Sequence, residues 1–229
     1  MKKLTIKSGP ILLASSLMLF LVFWPGISNF ATIENISIGN PLKYVHKNNV
    51  EQLLQDSLKR GFFELNINNV ASKVDAIPWV DSAEVRKVWP DLLYIEITEQ
   101  VPVAKWEEKA LISESGELFS PDNLKGLDAL PKLFGREKDR KKIMKFYNQA
   151  SLLLKDEGLK LVRLEMNSPF KWTLTLQNGL NLVLSEEQGL DKLRQFQNVY
   201  ERHIAPQLDK IASIDLRYDS GMALRWHDA

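Results

Sequence analysis

Three histidines, His46, His203 and His227, are the side chains best suited by ordinary pKa to proton transfer or metal binding. None has a second histidine or a carboxylate at ligand spacing, and the chain has no cysteine. A surface or helix-end role is expected for each. Ser168-Pro169-Phe170-Lys171 matches S-x-x-K, the acylation motif of penicillin-binding proteins. That chemistry needs the serine at a helix start and the lysine one turn on. Here Pro169 and the alternation of Trp172, Thr173 and Leu174 put the string at a strand entrance, and the companion S-D-N and K-T-G motifs are missing. No phosphate-cradling glycine loop and no G-x-S-x-G elbow occur. The expectation is no catalytic residue, no metal, no cofactor and no enzyme.

Net charge is +1, from 30 basic and 29 acidic residues. Lys2, Lys3 and Lys7 precede the first apolar run, and no acid does. The remainder, 31–229, therefore holds 27 basic against 29 acidic residues. That lacks the basic stripe nucleic acid requires. The stretch 10–30 is uncharged and strongly apolar over 11–24. As a helix it would measure about 31 Å, enough to cross the hydrocarbon core. A cleaved secretory signal competes with an uncleaved anchor. Asn29 at the −3 position before Ala31 fits a cleavage site poorly, which favours the anchor. The three lysines then hold a tail of residues 1–9 in the cytoplasm, and about 200 residues lie across the membrane.

Two units are expected beyond the anchor, 31–100 and 101–229, in a chain of α+β class. The first reads strand, helix, helix, strand, strand. Ile36 and Ile38 alternate with polar residues, and Asn48 with Glu51 resembles a capping box. Val50, Leu53, Leu54 and Leu58 form a helical stripe, and Val70, Val74 and Ile77 form a shorter one. Residues 80–89 are strand-like, Pro90-Asp91 is a turn, and Leu93, Ile95 and Ile97 mark a half-buried strand. The second unit reads as a larger mixed β domain with two helices. Short strands lie near 103–106 and 111–113, and a Pro/Gly-rich loop spans 121–131. A helix is expected around Ile143 to Leu154, then a strand at 159–166. Asn178-Gly179 marks a hairpin, and a second helix runs from Leu190 to Ile204. Ile214, Leu216 and Tyr218 read as one face of a strand. Asp219-Ser220-Gly221 turns, and Met222, Leu224 and Trp226 alternate on a last strand. Trp79, Trp89, Trp106 and Trp172 are expected in the core. For Trp226, core and partner contact both remain open.

Several strings occur together and in order: Ile77-Pro78-Trp79-Val80, Val85-Arg86-Lys87-Val88-Trp89-Pro90-Asp91, Val101-Pro102-Val103-Ala104-Lys105-Trp106, Trp172-Thr173-Leu174-Thr175-Leu176 and Asp215-Leu216-Arg217-Tyr218-Asp219-Ser220-Gly221. With the N-terminal apolar segment they resemble the FtsQ/DivIB family of bacterial cell-division proteins. The resemblance implies a POTRA domain followed by a β domain. It implies a non-enzymatic divisome scaffold at the septum of the inner membrane, single-pass with its bulk in the periplasm. It implies FtsB and FtsL as partners, and FtsK through the POTRA domain. By position, it implies partner contacts at Arg217, Tyr218, Ser220, Gly221 and Trp226, and more loosely at Lys171. A last strand with nothing beyond it could accept a strand from a partner. Two other readings stay open: a POTRA-bearing accessory of envelope-protein assembly, and an acyl-transfer enzyme using Ser168 and Lys171.

Overall fold

The computed structural model describes residues 33–59, 61–167 and 171–227. The expected anchor, the cytoplasmic tail and Ser168 lie outside them. Among the described residues no helix is long and apolar enough to cross a membrane. The chain divides into two compact units between Gln100 and Val101.

The smaller unit has the order β1 (Asn35–Ile38), α1 (Lys47–Leu58), α2 (Ile67–Asp75), β2 (Val80–Val88) and β3 (Leu92–Glu99). Its sheet is ordered β1-β3-β2, with β1 parallel to the central β3 and β2 antiparallel to it. Leu93, Ile95 and Ile97 alternate along β3 and are fully buried. They pack on Val50 and Leu54 of α1 and on Val70 and Val74 of α2. Burying each such side chain is worth about 1.5–3 kcal/mol. Leu53, expected in the α1 stripe, is 41 % exposed. Asn48 and Glu51 do not cap α1, whose N-cap is His46 without a side-chain bond. Asn66 caps α2 by accepting from the N–H groups of Asn68 and Asn69. Glu99 fixes the approach to α1. Its carboxylate accepts from the N–H groups of Lys43, Tyr44 and Val45 at 2.8, 2.7 and 2.6 Å.

The larger unit contains β4 (Pro102–Trp106), β5 (Ala110–Ser113), β6 (Leu118–Phe119), β7 (Lys132–Phe134), α3 (Arg140–Asp156), β8 (Leu161–Asn167), β9 (Lys171–Leu176), β10 (Asn181–Ser185), α4 (Gly189–Val199), β11 (Ile211–Asp215) and β12 (Ala223–Trp226). A π turn and a short 3-10 segment link α4 to β11. Nine strands form one mixed sheet, ordered β12-β11-β10-β9-β8-β7-β4-β5-β6. Leu174, Leu176, Leu182, Leu184, Ile211 and Ile214 are buried on one face, with Phe146 and Ala150 of α3 and Leu193 and Phe196 of α4 in the same core. The opposite pleat positions, among them Thr173, Thr175, Asn181, Ser185, Ser213 and Asp215, are polar and half-buried. Trp172 stacks on Phe146 with centroids 4.2 Å apart. Gly189 lets α4 start against this pair, because a Cβ there would sit 2.9 Å from the Phe146 ring.

Trp106 and Trp172 are buried and Trp79 partly so, but Trp89 is 74 % exposed at the tip of the β2–β3 hairpin. Its position in the turn carries it beyond the pleat that buries its neighbours.

Candidate functional site

The residues singled out in the sequence converge on the β12 end of the large sheet. β12 pairs antiparallel with β11, from Ile211↔Trp226 to Asp215↔Ala223. It has no strand of the described residues on its other side. One rim of β12 therefore presents unpaired main-chain groups.

Arg217, Tyr218, Ser220 and Gly221 all lie in the connection between β11 and β12, and all are exposed. The expected strand through Tyr218 ends instead at Asp215. A bulge between Ile211 and Ser213 shifts the register; Leu216 still donates its N–H to Val183 O at 2.8 Å, and the chain from Arg217 on is out of the ladder that β12 rejoins at Ala223. Tyr218 is thus a loop residue, 56 % exposed. Gly221 closes the turn at φ +133, a conformation that a side chain would strain.

Trp226 stands at the opposite end of the hairpin, three residues beyond Ala223, or about 10 Å at strand rise. It is 47 % exposed. Its pairing with Ile211 places it on the helix-covered face, continuing the row of Leu224 and Ile214. The two aromatic side chains therefore bracket the open rim rather than forming one cluster. Lys171 begins β9, two strands in from β11, and pairs with Ser185 and Asn167. It is the first residue of that strand.

Charge is ordered around the loop. Asp215 Oδ1 accepts from the Arg217 N–H at 3.1 Å, and its two oxygens take Nε and Nη2 at 2.9 and 2.6 Å. This paired hydrogen bonding holds the Asp215 carboxyl below the usual carboxylate range, with burial working against it and Lys171 adding a smaller pull. The same pairing raises Arg217. On β12, Arg225 Nε donates to Ser213 Oγ at 3.0 Å.

Sequence reasoning misses one residue central to this site. Lys192 of α4 is only 3 % exposed. Its Nζ donates to Tyr218 O at 2.6 Å, Asp219 O at 3.0 Å and Gln195 Oε1 at 3.4 Å. Its three donors go to three oxygens without full charge, which pins the loop to α4. A lysine in a polar helix pattern reads as solvated; only the fold reveals the carbonyls waiting for it.

The comparisons with known proteins cover both units. A profile described as "POTRA domain, FtsQ-type" matches residues 31–100, and one described as "Cell division protein FtsQ/DivIB, C-terminal" matches 104–217. The cell division protein FtsQ of Shewanella oneidensis is 35% identical over 86% of this chain and 75% of its own. The chain belongs to the FtsQ/DivIB family. FtsQ of Xanthomonas campestris pv. campestris is 31% identical over 88% of this chain and 72% of its own. FtsQ of Methylomonas methanica is 29% identical over 85% and 78%. The C-terminal profile includes Lys171 and ends at Arg217. Tyr218, Ser220, Gly221 and the whole of β12 lie past that match.

Proposed function

We propose that this FtsQ/DivIB member is a non-enzymatic divisome scaffold that takes a strand from FtsB, with FtsL alongside, onto the open rim of β12. Residues 10–30 anchor it in the inner membrane with the N-terminus cytoplasmic, and the POTRA unit serves recruitment of FtsK. The observation that supports strand addition is the position of β12, last in a nine-stranded sheet and paired on one side alone. Main-chain bonds would supply affinity, and Tyr218 and Trp226 would clamp the incoming segment at its two ends. Aromatic residues of this kind are frequent hot spots, with truncation costs of about 2 kcal/mol or more. Lys171 and Arg225 favour an acidic partner segment, whereas Arg217 is already held by Asp215.

The test is co-purification of the full chain with FtsB and FtsL. Tyr218→Ala and Trp226→Ala are each expected to weaken capture roughly 30-fold. If both variants stay folded and bind at full strength, the assignment of this rim fails.

A further inference from the structure

Among the described residues the two most exposed large apolar side chains are Trp89 at 74 % and Phe63 at 70 %. Trp89 lies at the β2–β3 turn and Phe63 in the connection between α1 and α2. Lys87, two residues before Trp89, ties β2 to the neighbour of Phe63: its Nζ donates to Phe62 O at 2.5 Å and lies 5.4 Å from the Phe62 ring centroid. Phe62 is buried and holds Phe63 edge-on at 5.6 Å. Val88, beside Trp89, is 39 % exposed. One end of the POTRA unit therefore presents three apolar side chains to solvent.

The chain enters the unit at that same end. The N–H groups of Glu34 and Asn35 donate to Asp91 O at 3.1 and 3.4 Å, and Asn35 Nδ2 donates to Asp91 Oδ2 at 3.0 Å. Ile33, beside them, is buried. Only residues 31 and 32 separate Ile33 from the apolar stretch 10–30. A spacer that short reaches about 10 Å at full extension. With 10–30 in the bilayer, the Trp89 and Phe63 end of the unit is held at the lipid headgroups.

We propose that this end docks on the lipid bilayer, with Trp89 and Phe63 seated in the headgroup layer. The inference rests on the anchor reading above. Tryptophan suits the layer because its ring is apolar and its N–H is polar. Among the described residues the charged groups at this end are mixed in sign: Lys59, Arg86 and Lys87 against Glu34, Asp56, Glu64 and Asp91. Lys59 is paired with Asp56 at 2.7 Å. Apolar insertion rather than attraction to anionic lipid carries the contact, and uncharged phosphatidylcholine suffices.

The absence of cysteine makes a clean test possible. The full chain is reconstituted in phosphatidylcholine vesicles with a nitroxide on one introduced cysteine at a time: Phe20→Cys for the anchor, Phe63→Cys and Val88→Cys for the docking end, and Leu152→Cys as the aqueous reference. Labels at 63 and 88 are expected to be several-fold more open to oxygen and less open to a nickel chelate than the label at 152. Adding Trp89→Ser is expected to return the label at 63 to the aqueous value. If the label at 20 is deep and those at 63 and 88 match that at 152, docking is overturned and the anchor stands. If the label at 20 is also aqueous, both are overturned. Protection of 63 and 88 from oxygen and nickel alike would mark protein cover and overturn docking on lipid.

Discussion

At the scale of single residues, the β11–β12 loop is held by two contacts of different character. The Asp215–Arg217 pair is half exposed, so its contribution to stability is modest. Its sign with pH is nevertheless fixed. The folded carboxyl titrates below its unfolded value of about 3.9, so its stabilising effect is complete above that value. It disappears as pH falls through the lower, folded value. A pH titration of the Asp215 carboxyl by NMR should show a lowered midpoint that Arg217→Ala returns to the ordinary range. Lys192 acts on the other side of the loop. Lys192→Met keeps the stem and removes the three donors, leaving the Tyr218 and Asp219 carbonyls unserved at a cost of about 1–3 kcal/mol. Amide exchange at 218–221 should accelerate, and partner capture should fall although Lys192 is only 3 % exposed.

At the scale of elements, Glu99 illustrates how a strand end can set a helix entrance. Glu99→Ala would orphan three N–H groups, one of them on the buried Val45. The expected loss is about 2–3 kcal/mol in the smaller unit, read from its urea midpoint. Elements with strong local signals were legible in the sequence. The 171–185 hairpin is predicted by Asn178-Gly179 and two alternating leucine runs, and β3 by its period of two. β7, just past the 121–131 loop, was not legible. It has three residues, and its parallel neighbours β4 and β8 come from distant sequence. The same limit applies to the site. The alternation of Ile214, Leu216 and Tyr218 is real as a pattern, but pairing with β12 stops at Asp215, and β10 runs on to Ser185 with no pair to β11 past Val183. Trp89 shows the converse, a residue type that favours burial placed where the chain turns outward.

At the scale of the whole molecule, the two units carry hydrophobic cores that share no residue. Leu54→Ala should therefore cost about 2–5 kcal/mol and speed amide exchange across 33–100. Protection in 101–227 is expected to stay as it is.

The far rim of the large sheet is β6, only Leu118–Phe119 long. Two residues offer too few backbone groups to hold a visiting segment, whereas β12 runs for four with an aromatic at its end. Growth of the sheet is consequently one-sided. A guest on the large sheet is therefore directed to β12, while the smaller sheet keeps two edges of its own in β1 and β2.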